Sequence, residues 1–168
     1  MPLIINDKIQ ELMKGYPTVS DKYNVAGAVL AGTTPVEFGD LVQFSGTKGY
    51  FEAVTASKQI TAASQLAGFV VATNVKLATE WPGETVTVRP GEAFNLLING
   101  FIAVECVSTA KPAEITANAS VYVTANGKVT TATDTAKVVA IPNCVFTGVY
   151  ENHGTTSAPK YYAEIYVK

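Results

Sequence analysis

Residues 84–107 read ETVTVRPGEAFNLLINGFIAVECV, and their reading decides the expected fold. Val86 and Val88 alternate with Thr85, Thr87 and Arg89, which gives one apolar and one wet face. Pro90-Gly91 breaks the run: proline presets φ for a turn and glycine accepts φ > 0. Residues 94–98 are nearly all apolar, as in a strand covered on both faces. Asn99-Gly100 is a strong hairpin signal, and Phe101, Ala103 and Glu105 then alternate with Ile102, Val104 and Cys106. The expectation is a meander of three strands joined by turns at residues 90–91 and 99–100, about the smallest sheet that holds itself together. The stretch carries no nucleophile, metal cluster or phosphate loop, so its signal is scaffold and not chemistry.

Outward from this stretch the chain reads as β in both directions. Ala28-Val29-Leu30 is a short strand ended by Gly32, and Val36 to Phe44 is a strand pair broken at Gly39-Asp40. Residues 50–54 pair back after the Ser45–Gly49 loop. Residues 55–67 fit a helical turn or a surface loop equally well, and residues 68–77 form another strand. Asn126-Gly127 predicts a second hairpin, and Pro142 is expected to split residues 138–141 from 144–146. Residues 162–167 close the chain as an alternating strand after a loop around His153. Gly39-Asp40-Leu41-Val42-Gln43-Phe44, Gly83-Glu84-Thr85-Val86-Thr87-Val88 and, more weakly, residues 118–123 repeat one grammar: a turn, then apolar side chains two apart. Unequal spacing excludes a solenoid. Many short strands, frequent turns and almost no helix predict an all-β barrel or sandwich.

Residues 1–24 differ from the rest. Asn6 caps an expected short helix carrying Ile9, Leu12 and Met13 on one face, with Gly15 as its stop. Leu3, Ile4 and Ile5 add a second apolar group. A two-turn helix is marginal alone, so this arm is pinned to the domain or awaits a partner. The expected division is an N-terminal arm, 1–24, and a β domain, 25–168.

Composition narrows the function classes. The 168 residues are about one domain by length. Only 15% are charged, against about a quarter in ordinary soluble domains. Either another protein covers part of the surface, or a Thr/Ala/Asn-rich surface stays wet without charge. A net charge of −2 and a single arginine, Arg89, leave no electrostatic footprint for nucleic acid. The start MPLIINDKIQ lacks the basic beginning and long apolar run of a secretory signal, and no run is long enough to span a membrane. Cys106 and Cys144 sit in apolar strands and read as reduced core thiols, consistent with synthesis in a cytoplasm.

The remaining polar groups assemble no recognisable reactive site. His153, the single histidine, lacks the partners of a zinc site. A Cys144/His153 dyad has nothing to depress the thiol pKa. Glu80 and Glu84 around Trp81 read as solvated turn carboxylates and not as a glycosidase pair. No nucleophile elbow, P-loop or dinucleotide fingerprint occurs. Neither a catalytic residue, a metal nor a cofactor is expected. Tyr150, Tyr161, Tyr162 and Tyr166 have only Lys160 and Lys168 as basic neighbours, too few for a nucleic-acid platform, and read as strand and interface residues.

Residues 28–32 (AVLAG), 36–44 (VEFGDLVQF), 67–71 (AGFVV), 83–91 (GETVTVRPG), 119–123 (ASVYV), 141–148 (IPNCVFTG) and 162–167 follow one another in an order that resembles the structural cement, or head decoration, proteins of tailed bacteriophages. The resemblance covers roughly residues 25–168. It implies a β-tulip-like barrel and a homotrimer on the outer surface of the capsid. It also implies the major capsid protein as partner and no enzymatic activity. On this reading the capsid-interface residues are the apolar ones of the arm: Leu3, Ile4, Ile5, Ile9, Leu12 and Met13. The alternative is a carbohydrate- or receptor-binding β module of a phage tail or cell surface, with Trp81 and the tyrosines as sugar platforms.

Overall fold

The computed structural model describes residues 14–18, 23–72 and 87–168. Strand and bridge residues make up 53% of these, against 4% in two single-turn 3₁₀ helices, so the fold is all-β as expected. The strands are β1 (Asn24–Ala31), β2 (Val36–Glu37), β3 (Leu41–Phe44), β4 (Tyr50–Ala53), β5 (Leu66–Val71), β6 (Thr87–Val88), β7 (Ala93–Glu105), β8 (Ser120–Thr124), β9 (Val129–Thr130), β10 (Lys137–Asn152) and β11 (Tyr161–Val167). Among the described residues no helix is long and apolar enough to cross a membrane.

Five strands close a barrel in the order β1-β4-β3-β5-β7 and back to β1. Closure abolishes sheet edges wherever the ladder is complete. The closing pair β1–β4 is parallel, with Val29 opposite Tyr50, and the other four pairs are antiparallel. Period-two patterning selects what points inward. Ala28 and Leu30, Val42, Ala53, Val70, Phe94 and Leu96 fill the interior, and Val36, Phe38 and Val88 from the β2–β6 ribbon join them. The neighbours in sequence point the other way: Leu41, Phe69, Val71 and Leu97 face a second core.

That second core lies inside the sheet β7-β11-β10-β8-β9. The sheet curls until Cys106 forms a parallel bridge with Val129 and the Val107 N–H donates to Val129 O at 2.9 Å. Ile102, Val104, Val121, Val123, Phe146, Ala163 and Ile165 fill it, all nearly inaccessible. β7 is therefore the shared wall of two barrel-like halves. Its first half pairs with β1 and β5, and from Gly100 onward it pairs with β11.

The meander expected in residues 84–107 is absent. The turn at Pro90-Gly91 forms, with Gly91 at φ 86°, but β6 pairs with β2 and not with β7. The expected hairpin at Asn99-Gly100 is replaced by thirteen residues of continuous strand. A two-residue hairpin turn of this type needs φ > 0 at both residues, and Asn99 is not among the positive-φ residues, whereas Gly100 has φ 134°. Asn99 is held opposite Asn24 and Gly100 opposite Val167, so two different ladders keep the chain extended through the dipeptide. Glycine marks the bend where β7 leaves one half for the other. Ile98 is an extra residue at the neighbouring bulge, half-exposed instead of covered on both faces.

Pro142 does not split β10 either. The strand runs through it on a bulge, with a register shift between Ala140 and Val145 and Asn143 at φ 55°. The Asn126-Gly127 hairpin forms as expected: Gly127 has φ 76°, and its N–H donates to Thr124 O at 2.9 Å between β8 and β9. Residues 55–67 resolve into a bridged turn, Thr55 with Lys58, and one 3₁₀ turn at Ala63–Gln65. The segment 73–77, expected as strand, lies outside the described residues, as do Trp81, Glu80 and Glu84.

Candidate functional surface

The six apolar residues expected to bind a partner, Leu3, Ile4, Ile5, Ile9, Leu12 and Met13, lie outside the described residues, as does the short helix expected around them. Their point of attachment is described. Residues 14–18, on the arm side of the expected division at residue 24, lie along the edge of β7. The Gly15 N–H donates to Ala103 O at 2.8 Å, Ala103 N–H to Tyr16 O at 3.2 Å, and Pro17 bridges Ile102. On its other side Gly15 O accepts from the Ala72 N–H at 2.8 Å. Gly15 (φ 80°) crosses Phe38-Gly39 so closely that a Cβ at position 15 would lie 2.3 Å from the Phe38 Cβ and 2.5 Å from the Gly39 nitrogen. Glycine is required there for both space and φ.

One residue earlier a charge clamp holds the arm. Lys14 Nζ donates to Glu37 Oε2 at 2.7 Å and to Asp40 Oδ1 at 2.8 Å, while Asp40 Oδ2 accepts from the Glu37 N–H at 2.9 Å. Lys128, on the β8–β9 hairpin, reaches the same Asp40 oxygen at 3.5 Å. One carboxylate thus ties the arm, the β2–β3 turn and the second half together. Burial pushes the Asp40 carboxyl up, but the charges of Lys14 and Lys128 outweigh it and hold the carboxyl below its usual range. Burial pulls the Lys14 ammonium down, and Asp40 with Glu37 more than compensates, so its pKa is raised.

These shifts set a pH window. A depressed Asp40 contributes stability above the unfolded carboxylate pKa, about 3.9, and loses it as pH falls through the lower folded value. A raised Lys14 contributes below about 10.4 and loses its contribution as pH rises through its higher folded value. Between those limits the clamp is constant. Lys14 and Asp40 side chains are only 12% and 22% exposed, so Asp40→Asn should cost about 1–3 kcal/mol at neutral pH. Thermal unfolding at pH 7 should show a drop of about 3–9 °C, shrinking as pH falls below about 3.9 and on through the lower folded value. A difference that persists undiminished at pH 3 would show that charge is not what Asp40 supplies.

The other candidate groups fall apart in space or are chemically quiet. Cys106 and Cys144 are buried free thiols, and burial pushes each up to about 12. His153 Nε2 lies 2.9 Å from Glu151 Oε2, and its ring packs on Tyr162 at 4.5 Å. Among the described residues no group of His, Cys, Asp or Glu is arranged to hold a metal. The tyrosines are spread along β10 and β11. Tyr166 stacks on Phe101 at 4.5 Å, Tyr161 meets Tyr150 edge-on, and Lys160 lies over Tyr162. Each ring already covers a neighbour, which fits strand surface better than an open sugar platform. The clamp went unread in the sequence: Asp40 is 26 residues from Lys14, and only its place after a turn glycine hinted at a structural role.

The model of the family described as Structural cement protein (E217 gp24/Pam3 gp6) matches residues 5–166. The chain belongs to that family. The match begins inside the arm, so the cement-protein pattern includes residues that the resemblance, drawn from residue 25 onward, left out. A chain of the solved structure "The capsid of Myoviridae Phage XM1" is similar to this cement protein with a TM-score of 0.61 and 16% identity, covering 97% of this chain and 96% of that one. At that identity the likeness establishes a shared fold over nearly the whole length. No curated protein matches. The cement protein is thus a phage structural protein in which Lys14 and Gly15 are held by charge and a glycine crossing on a double β scaffold.

Proposed function

We propose that this protein decorates the outer surface of a phage head as a homotrimer and stabilises the shell by bridging neighbouring copies of the major capsid protein. The family match over residues 5–166 carries this reading. The low charge content supports covered surface. The mechanism is mass action: a ligand that binds only the assembled lattice stabilises it by about 2.7 kcal/mol per site at a hundredfold excess over Kd. No bond is made or broken, and the protein works without enzymatic activity, cofactor, nucleic acid or membrane. The apolar arm side chains, Leu3, Ile4, Ile5, Ile9, Leu12 and Met13, supply the shell contact.

The test is reconstitution on purified heads that lack the protein. Added protein is expected to cosediment at saturating stoichiometry and to raise the temperature at which heads release their DNA. Light scattering at micromolar concentration should give about three times the 17.7 kDa monomer mass. Specific glycan binding on an array with no binding to heads would replace this reading with the carbohydrate module.

A further inference from the structure

We infer that the fork where the parallel strands β1 and β4 part is a binding site for a neutral oligosaccharide. The β1–β4 ladder ends at Ala31 opposite Glu52. Beyond it Gly32, at φ 81°, turns the chain toward β2, while β4 runs on into the bridged turn of Thr55 and Lys58. Between the diverging chains lies a cleft of about 240 Å³, lined by Thr33 and Thr34 from one chain and by Thr55 and Ser57 from the other. A second cleft, of about 330 Å³, adjoins it along Ala31, Gly32, Glu52 and Lys58 and reaches Tyr50. That size is near the lower end of ligand clefts, about 300–1,000 Å³.

The walls are fixed before any ligand arrives. Gln43 lies opposite Glu52 in the β3–β4 ladder and is buried. Its Nε2 donates to Lys58 O at 3.0 Å and to Ala53 O at 3.4 Å. The Lys58 N–H donates to Thr55 O at 3.0 Å and the Thr55 N–H to Lys58 O at 3.3 Å. A buried amide that holds a surface turn on the barrel wall preorganises the cleft, and rigid walls lower the ordering cost of binding.

Charge selects the ligand. The charged side chains that line the two clefts are Glu52 and Lys58, and they pair with each other. Glu52 is 14% exposed and Lys58 56%, so the carboxylate lies at the base and the ammonium at the lip. An anion would meet the carboxylate, a cation would meet the ammonium, and an apolar ligand would strip water from both. A neutral chain of hydroxyls donates to a carboxylate, which has acceptor sites beyond the one its lysine takes. The threonine and serine hydroxyls of the walls both donate and accept, as sugar hydroxyls do. Tyr50, 45% exposed, stands at the second cleft. A ring with an apolar face and a polar tip fits the C–H face and hydroxyl rim of a sugar. Two adjoining clefts suit a chain of more than one sugar ring. These residues stand apart from the arm, so glycan binding is a second function beside shell binding and does not rest on it.

The test is binding of the full-length protein, free of heads, to an array of neutral hexose and N-acetylhexosamine oligosaccharides, with uronate and sialylated chains as the anionic set. Expected is retention on neutral chains, weakened about tenfold or more in Glu52→Ala and in Tyr50→Ala. Tyr150→Ala, at a half-exposed tyrosine on β10, is expected to bind as the wild type does. Circular dichroism checks that each variant keeps its β spectrum. If Glu52→Ala loses it, Tyr50→Ala decides, since that side chain is half-exposed. No retention on neutral chains, or retention on anionic chains alone, overturns the proposal. Retention that survives both cleft variants, or that Tyr150→Ala weakens equally, overturns the placement in the cleft. Cosedimentation with heads separates the two functions. Wild-type protein that binds neutral glycan but not heads overturns the shell reading and leaves this one standing, and the reverse result overturns this one alone.

Discussion

Removing residues 2–13 is expected to leave a folded trimer that binds heads at least a hundredfold more weakly. The cut ends before Lys14, so the clamp to Glu37 and Asp40 and the pairing of residues 15–18 with β7 stay in place. What goes is the apolar set Leu3, Ile4, Ile5, Ile9, Leu12 and Met13. Full burial of such side chains is worth roughly 1.5–3 kcal/mol each. Ordering the backbone costs about 1–2 kcal/mol per residue, so for a single arm the two are of the same size and one arm holds the shell weakly. On the proposed trimer three arms would act together, and linkage of this kind raises avidity by about 10²–10⁴ without a new contact. Loss of all three arms forfeits that factor. Cosedimentation with heads measures the binding, while light scattering and circular dichroism confirm the trimer and the fold. Normal affinity in the truncated protein would move the shell contact to the barrel loops. An unfolded truncated protein would make the arm part of the core.

Gly15→Ala should be among the most damaging single substitutions in the described structure. A positive φ costs an L-residue about 1–2 kcal/mol. The added Cβ also meets the Phe38 Cβ and carbonyl carbon and the Gly39 nitrogen at 2.3–2.5 Å. Two of these three are backbone atoms, which cannot rotate away, and overpacking of this kind costs about 1–3 kcal/mol or more. Together the penalty is on the order of 3 kcal/mol, a drop of about 6–12 °C in Tm for a domain of this size. Gly27→Ala is the matched control, since its Cβ meets nothing within 4 Å. It should change Tm by no more than about 2 °C. Equal effects of the two would show that the crossing at residue 15 is looser than its geometry. Because residue 15 also anchors the arm, Gly15→Ala should expose residues near Lys14 to trypsin at temperatures where the wild type resists.

Much of the fold was legible because alternation and turn chemistry are local. The strands at residues 28–30, 41–44 and 162–167, the turn at Pro90-Gly91 and the Asn126-Gly127 hairpin all follow from side chains a few residues apart. The order of these elements also carried the family resemblance that the match over residues 5–166 bears out. Asn99-Gly100 and Pro142 carry equally strong local signals, yet strands run through both. A turn preference is worth a fraction of what a strand gains from ladders on both sides. At residue 99–100 those ladders come from β1 and β11, more than sixty positions apart on either side.

By itself, then, the sequence determined the all-β class, the apolar alternation of each strand, and a chain of low charge content with a net charge of −2. Tertiary structure decided which strands are neighbours. It made β7 the common wall of two cores, sent β6 to β2, and set Lys14 against Asp40. Alternation tells which face of a strand is buried but not against what. That choice is made by summed burial across two cores and by ladders between residues far apart in the chain, a quantity that no local window contains.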